Sequence, residues 1–230
     1  PPVLNKTEIT KLFHKFLLPK PGIVRRVCKQ LRNVVSLSLK ADKSVGGIMD
    51  WQKDYYSKFK NADEAVKVVK SGDTVAYGEF VMVSKYLDAA LAERISELNN
   101  ITLRATSCPF PPKVVLADPK MERVTYNDWH FSGASRKLSD QNLCRYIPLN
   151  YHVGPNILKS GLVGKVDVAM FMMGPPDENG YLNLGTSSSI TPAYISVAKH
   201  VIVEINENIP YCFSDESCRI HVSQIDCFVQ

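Results

Sequence analysis

The sequence lacks any apolar run long enough to cross a membrane. A membrane-spanning helix needs about 20 apolar residues, whereas the longest such run, around residues 168–173, has the length of a strand. The six cysteines include no C-x-x-C pair, so zinc ribbons and thioredoxin-like redox motifs gain no support. We interpret the cysteines as reduced thiols of an intracellular protein, and we expect no membrane partner.

Common nucleotide-binding and catalytic motifs are also absent. Neither G-x-G-x-x-G nor G-x-x-x-x-G-K-[ST] occurs, which argues against a dinucleotide-binding fold and a Walker-type phosphate cradle. No G-x-S-x-G elbow occurs, which argues against a serine hydrolase of that type. The five histidines share no metal-ligand spacing, so we predict no metal site.

Positive charge is concentrated at the start of the chain. Nine of the 28 Lys and Arg residues lie in residues 1–41, which contain one of the 23 acidic residues. The rest of the 230-residue chain is therefore slightly acidic, although the whole sequence carries a net charge of +5. A nucleic-acid-binding surface needs concentrated positive charge, so we expect no nucleic-acid partner for the rest of the chain.

Residues 1–47 form a basic amphipathic segment. Ile23, Val27 and Leu31 recur at helical spacing, and basic residues fill the other faces. Mitochondrial transit peptides combine an apolar stripe with positive charge in this way. The segment therefore predicts a mitochondrial protein, with a cytoplasmic one as the alternative. The other interpretations are a solvated basic helix, a disordered tail, and a segment that binds RNA or a membrane.

The remaining residues, 48–230, alternate helix and strand patterns. The predicted helices cover 48–60, 61–72, 84–98 and 192–199, and the predicted strands cover 73–77, 101–105, 114–116, 166–172 and 200–205. Such alternation predicts an α/β fold, in which helices cover both faces of a mostly parallel sheet. Ligands of such folds bind at the carboxyl ends of the strands. The loops after the strands that contain Val75, Met172 and Glu204 are therefore the first candidates for a site.

Three short stretches have the residue types of a binding site. Gly174–Tyr181 follows the most apolar strand, and its prolines and Asn-Gly turn suit either a rigid pocket-lining loop or a turn alone. Phe131–Lys137 combines small residues with two cations, which suits either an anion site or a solvated loop. Glu204–Pro210 places polar groups at the end of an apolar strand, where site residues and helix caps both occur.

Several stretches, taken in order, resemble the N-terminal half of one enzyme family. The matching residues are 63–66 (DEAV), 70–73 (KSGD), 130–137 (HFSGASRK), 146–148 (YIP), 166–169 (VDVA), 176–181 (PDENGY), 198–206 (AKHVIVEIN), 209–210 (IP), 220–223 (IHVS) and 225–226 (ID). The sequence from about Met49 to Gln230 is thus similar to the acetyl-CoA hydrolase/transferase family. This family includes acetate, butyrate and 4-hydroxybutyrate CoA-transferases.

The resemblance implies two similar α/β domains with the active site between them, and residues 48–230 would form the N-terminal one. It implies that a glutamate attacks the thioester of an acyl-CoA. The reaction then proceeds through an acyl-glutamyl anhydride and a glutamyl-CoA thioester. CoA then moves to a short-chain carboxylate such as acetate, so CoA is a substrate and no cofactor is expected. The family's catalytic glutamate lies in its C-terminal half, which this sequence lacks. We therefore assign no catalytic residue and expect the fragment alone to be an inactive part of an acetate CoA-transferase.

Five positions match family positions on loops that line the interdomain cleft. These substrate-binding candidates are Gly133, Arg136, Asp177, Gly180 and Asn206. The partners implied are an acyl-CoA, a short-chain carboxylate, the missing C-terminal domain and, in a homo-oligomer, further copies of the chain. Two alternatives stay open: an acetyl-CoA hydrolase of the same family, and a non-catalytic half-domain that binds a partner.

Overall fold

A seven-stranded sheet lies at the centre of the structure, a computed structural model that describes residues 50–230. The strands are β1 (Thr74–Tyr77), β2 (Ile101–Ala105), β3 (Val124–Asp128), β4 (Arg145–Tyr146), β5 (Val166–Met173), β7 (Ala198–Ile205) and β9 (Cys227–Val229). Their order is β4-β3-β2-β1-β5-β7-β9, and every neighbouring pair is parallel. The prediction of an α/β fold with a mostly parallel sheet is confirmed. The predictions for residues 1–47 lie outside the described residues.

Helices cover both faces of this sheet. They are α1 (Asp50–Ser57), α2 (Ala62–Ala65), α3 (Lys85–Arg94), α4 (Lys113–Leu116), α5 (Gly133–Asp140), α6 (Gly154–Ser160) and α7 (Thr191–Val197). Side chains of α2, α3, α4 and α5 share one core cluster with Val75, and those of α1, α6 and α7 share the other with Ala76. Successive strand residues point to opposite faces, so the sheet separates the two clusters. None of the helices in residues 50–230 is long and apolar enough to cross a membrane.

A small antiparallel pair lies outside the main sheet. It consists of β6 (Tyr181–Asn183) and β8 (Arg219–His221). Leu182 and Ile220 face each other in this pair and are both buried. The sequence does not predict the pair, because a strand of three residues is too short for its alternation to be recognised.

Side-chain caps set the beginnings of two predicted helices. The Asn61 side chain accepts a hydrogen bond from the Glu64 N–H at 2.8 Å, and the Ser84 hydroxyl accepts one from the Leu87 N–H at 3.1 Å. Each cap satisfies a donor that the first helical turn leaves unpaired, and each helix begins at the residue after its cap. Helix α2 is shorter than predicted, because the chain tightens into the 3₁₀ turn Val66–Val68.

The prediction of a strand at residues 114–116 is wrong, because these residues lie in α4. The carboxylate of Asp88, on α3, accepts hydrogen bonds from the N–H groups of Lys113 at 2.7 Å and Val114 at 3.3 Å. It thereby pairs two of the donors that a helix start leaves free. A contact distant in sequence thus decides the structure of a segment too short to show a period.

Candidate functional site

The order of the strands reverses direction between β1 and β5. Strands β2, β3 and β4 follow β1 on one side, whereas β5, β7 and β9 extend on the other side. In open parallel sheets, ligands bind outside the carboxyl ends of the strands at such a reversal. The loops that follow β1 and β5 are therefore the place at which this fold favours a site.

The loop after β1 is tightly closed and strained. The Gly78 N–H donates to the Met170 carbonyl of β5 at 2.8 Å, and a side chain at Gly78 would overlap the carbonyl of Met82. Phe80 has a φ of +51°, and its N–H donates to the Thr106 carbonyl after β2 at 3.1 Å. A left-handed backbone costs a residue other than glycine about 1–2 kcal/mol. Such strain concentrates at functional sites, where the surrounding structure maintains it.

Two more strained residues flank the same loop. Ser107, with a φ of +55°, follows β2, and Ser189, with a φ of +47°, precedes α7. The Ile190 N–H donates to the Glu79 carboxyl group at 2.9 Å, which joins the loop after β1 to the segment before α7. Three strained backbone positions therefore meet around one buried carboxyl group.

Glu79 is this buried carboxyl group, with no exposed surface. Its Oε2 accepts the hydrogen bond from Ile190, whereas its Oε1 has no hydrogen-bond partner among the described residues. Burial is the main cause that raises the pKa of Glu79 to about 7, and the charge of Asp128 raises it as well. The Thr106 hydroxyl and the Ile190 N–H act in the opposite direction and lower it. A carboxyl group in this environment can hold a proton near neutral pH.

Unpartnered polar atoms concentrate around Glu79. In the described part of the chain, buried side-chain atoms without a hydrogen bond belong to Glu79, Arg104, Thr106, Ser189, Thr191 and Tyr194. The Tyr194 hydroxyl lies within electrostatic range of both Glu79 and Arg104, and Arg104 lies over the Trp129 ring at 5.7 Å. Buried polar groups are normally paired, so this concentration distinguishes the region from the ordinary core. We refer to these six residues as the Glu79 cluster.

Asp128, at the end of β3, is a buried carboxylate that is well paired. It accepts hydrogen bonds from the N–H groups of Ser107 and His130, both at 3.0 Å, and from the hydroxyls of Tyr126 and Ser135. These donors stabilise the charge and fix the loops after β2 and β3. Asp128 therefore supplies a fixed negative charge beside the Glu79 cluster.

Glu204 is a second buried glutamate, near the end of β7. Its Oε2 accepts hydrogen bonds from the Ser84 hydroxyl and, at 3.3 Å, from the Tyr86 N–H at the start of α3. This contact ties β7 to α3. Across residues 50–230, no group of three or more His, Cys, Asp or Glu side chains is arranged to hold a metal ion.

A cleft of about 330 Å³ lies at the carboxyl ends of β5 and β7. Pro175, Pro176 and Ile205 line it, together with Trp51 and Tyr55 from α1. Two prolines of the Gly174–Tyr181 stretch therefore line a cleft, and a binding role for this stretch stays a prediction.

The predicted site residues Gly133 and Arg136 lie on helix α5. The interpretation of residues 131–137 as a loop is therefore wrong from Gly133 onward. The hydroxyl of Ser132 accepts hydrogen bonds from two N–H groups of the first turn, at 3.1 and 3.0 Å, and so begins the helix. Gly133 and Arg136 are both exposed in the segment after β3, and substrate binding by them stays a prediction.

The predicted site residues Asp177 and Gly180 shape the turn before β6. Asp177 Oδ1 accepts hydrogen bonds from the N–H groups of Asn179 and Tyr181, both at 2.9 Å. Gly180 has a φ of +82°, which confirms the predicted tight turn. The turn alone accounts for both residue types, and a substrate-binding role for either stays a prediction.

The predicted site residue Asn206 follows β7 directly. Its N–H donates to the Met173 carbonyl of β5 at 2.9 Å, and its Oδ1 accepts a hydrogen bond from the Asn208 N–H at 2.9 Å. Asn206 thus forms the turn at the end of the strand, as a cap would. Its role toward a substrate also stays a prediction.

The sequence alone did not lead us to predict the Glu79 cluster. The available signal was the Gly78-Glu79 pair immediately after a predicted strand, in a loop already named as a candidate. Thr106 and Tyr194 carried no signal, because only the fold brings β2 and α7 together with that loop.

Comparisons with known proteins point to one family. The sequence model described as "Acetyl-CoA hydrolase/transferase N-terminal domain" matches residues 43–230. A butyryl-CoA:acetate CoA-transferase of Anaerostipes caccae is 39% identical over 79% of this chain and 41% of its own length. A probable butyrate:acetyl-CoA coenzyme A-transferase of Syntrophomonas wolfei is 36% identical over 77% of this chain and 39% of its own length. The chain thus spans about two fifths of the length of these curated relatives.

A solved structure supports the same fold. RipA from Yersinia pestis superposes with a TM-score of 0.69 at 24% identity, over 79% of this chain and 44% of that one. At this level of identity the likeness concerns the fold alone, and it agrees with the parallel sheet described above.

Proposed function

The chain belongs to the acetyl-CoA hydrolase/transferase family, and from that premise we propose that it is the N-terminal half of a CoA-transferase. The protein would move CoA from an acyl-CoA to a short-chain carboxylate such as acetate. The observation that carries this proposal is the family match over residues 43–230. The names of the two relatives, both CoA-transferases connected with butyrate and acetate, support the choice of short-chain acids.

The proposed mechanism uses a glutamate outside this chain. Its carboxylate attacks the acyl carbonyl of the thioester and expels CoA thiolate, which leaves an acyl-glutamyl anhydride. The thiolate then attacks the glutamyl carbonyl, releases the first carboxylate and forms a glutamyl-CoA thioester, and an acceptor acid reverses these steps. Covalent catalysis divides one difficult transfer into easier steps, and exclusion of water preserves the thioester bond.

The geometry of the two buried glutamates supports a nucleophile outside this chain. Glu79 has no exposed surface and Glu204 is 5% exposed. The Glu204 carboxylate is also occupied by donors from Ser84 and Tyr86. A nucleophile must reach the acyl carbonyl of a bound substrate, and neither glutamate can do so in this conformation.

We propose that the chain contributes the carboxyl edge of its sheet to the substrate cleft. The strained loop after β1 would form one wall near the acyl group. Arg136 is exposed on α5 and is suited to a phosphate or carboxylate of the substrate. Gly133, Asp177, Gly180 and Asn206 would shape the neighbouring loops.

Product analysis tests this function. The natural protein that carries this sequence would be incubated with butyryl-CoA and acetate, with acetate omitted as the control. We expect acetyl-CoA and butyrate to appear together while the total thioester stays constant. Free CoA without acetyl-CoA would identify a hydrolase of the same family, and no turnover at all would support a partner-binding half-domain.

We also propose that residues 1–47 direct the protein to mitochondria, on the basis of their basic amphipathic pattern. A fluorescent protein fused to residues 1–47 should then enter mitochondria in cells. A variant with Arg25, Arg26 and Arg32 changed to Gln is the control and should stay in the cytoplasm. Uptake of neither fusion would contradict the proposal.

A further inference from the structure

Glu79 connects three segments at the reversal of strand order. It follows β1, its Oε2 accepts a hydrogen bond from Ile190 ahead of α7, and the Thr106 hydroxyl at the end of β2 lies beside it. The carboxyl group has no exposed surface. Among the described residues, neither its Oε1 nor the Thr106 Oγ1 makes a hydrogen bond of normal geometry. The site is therefore built around a carboxyl group that is only half satisfied.

Within residues 50–230, no cation is paired with the Glu79 carboxyl group. The titratable groups that act on it are Asp128, at the end of β3, and Tyr194, on α7. The cation of the Glu79 cluster, Arg104, forms no ion pair with Glu79: its Nη2 donates to the Val163 carbonyl at 2.7 Å and its guanidinium group lies over the Trp129 ring, whereas its Nη1 has no hydrogen-bond partner among the described residues. A buried carboxylate without a paired cation, next to another carboxylate, is unfavourable.

From this geometry we propose that Glu79 is a positioning residue that works as a neutral acid. Its carboxyl group keeps its proton inside the fold and holds the strained loop after β1 against the segment before α7. A role of that loop in substrate binding rests on the CoA-transferase function proposed above. The protonation of Glu79 does not depend on that function.

The effect of pH follows from the same surroundings. Burial raises the pKa of Glu79 to about 7, so the group is neutral in mildly acidic solution and ionises as the solution becomes alkaline. An ionised Glu79 repels Asp128 and favours the entry of water into the loop, because water stabilises the buried charge. We therefore expect the loop after β1 to lose its fixed conformation above neutral pH.

Infrared spectroscopy of the 230-residue chain can detect this proton directly. A protonated carboxyl group has a carbonyl stretching band that the ionised form lacks, and ¹³C-labelled glutamate shifts this band away from that of aspartic acid. Glu79 and Glu204 are the two buried glutamates among the described residues. We expect a glutamic acid band that disappears with a midpoint of about 7.

Two variants assign the band. Glu79→Gln should remove it, and the matched control Glu204→Gln should retain it. Even if Glu79→Gln fails to fold, a labelled band that survives in Glu204→Gln excludes the other buried glutamate of residues 50–230 as its source. The proposal is overturned if the labelled wild type shows no band that titrates near neutral pH, or if the band disappears in Glu204→Gln.

Activity of the natural protein tests the positioning role separately. Glu79→Gln imitates the neutral acid and should keep most of the activity. In the wild type, ionisation of Glu79 should lower the activity at alkaline pH, and this variant should lack that part of the decline. Glu79→Ala removes the contact to Ile190 and should lower kcat by about 10–100-fold through misplacement of the loop. Equal losses in both variants would overturn the positioning role. If the wild type transfers no CoA, the proposed function fails while the infrared result still decides the state of Glu79.

Discussion

Gly180 and Gly72 share a left-handed backbone but differ in their surroundings. Gly180 has a φ of +82° and Gly72 a φ of +85°. A Cβ at Gly180 would lie 2.9 Å from atoms of Trp51 and His221, whereas nothing lies within 4 Å of a Cβ at Gly72. The pair therefore separates the cost of backbone strain from the cost of crowding.

We expect Gly72→Ala to lower the free energy of unfolding by about 1 kcal/mol, which is the cost of a left-handed alanine. Gly180→Ala should cost at least about 1 kcal/mol more, because the two neighbouring rings have to move. Urea unfolding curves of both variants measure the difference. Equal losses would show that the contacts of the Gly180 turn with Trp51 and His221 do not matter for stability.

Glu79 makes stability depend on pH in a defined window. Its pKa rises from 4.5 in the unfolded chain to about 7 in the folded protein. As the pH rises through this window, the unfolded chain releases the proton while the folded protein keeps it, so stability falls. The whole shift corresponds to about 3 kcal/mol.

We expect Glu79→Gln to remove this decline, since an amide does not titrate. The measurement is urea unfolding of the wild type and the variant at a series of pH values between 4.5 and about 7. Parallel curves for the two proteins across this window would contradict the assignment. This behaviour was not predictable from the sequence, because it depends on burial and on Asp128, which is distant along the chain.

At the scale of elements, Ser84 connects a helix and a strand. Its hydroxyl accepts a hydrogen bond from the Leu87 N–H, which caps α3, and donates one to the Glu204 carboxylate of β7. Ser84→Ala removes the cap, which costs about 1 kcal/mol of the free energy of unfolding. It also leaves the buried Glu204 carboxylate with one hydrogen-bond donor fewer, which costs about 1–3 kcal/mol.

We expect Ser84→Ala to lower the free energy of unfolding by about 2–4 kcal/mol. Asn61→Ala is the matched control: Asn61 is exposed, caps the short helix α2 and has no second role, so its loss should cost about 1 kcal/mol or less. Denaturant unfolding of both variants measures the contrast. Similar losses would mean that the link from Ser84 to Glu204 contributes nothing.

Elements that carry their own signals were predictable from the sequence. The strand at Ile101–Ala105 agrees with its prediction at both ends, because four of its five residues are apolar or β-branched and an Asn pair precedes it. The segment at Lys113–Leu116 was not predictable, because the carboxylate that begins its helix comes from Asp88. Helix α5 was missed because Ser132 and Gly133 suit a loop as well as a helix start.

At the scale of the whole molecule, the alternation of helix and strand was sufficient to predict the parallel sheet. It also led us to expect a site at the carboxyl edge of the sheet, where the strained loop after β1 lies. The Glu79 cluster was not predictable, because its members come from the loop after β1, from the end of β2 and the residue after it, and from α7 and the segment before it, and they meet only after folding. Resemblance to a family pointed to loops that shape turns, such as Asp177 and Asn206, rather than to this cluster.

The central claim is that this chain forms half of a CoA-transferase whose nucleophile lies outside it. The most direct test is to expose the natural protein to an acyl-CoA, digest it and locate the CoA-modified glutamate by mass spectrometry. We expect one modified peptide, from a part of the protein beyond these 230 residues. A modified peptide that contains Glu79 or Glu204, or no glutamyl-CoA adduct during CoA transfer, would contradict it.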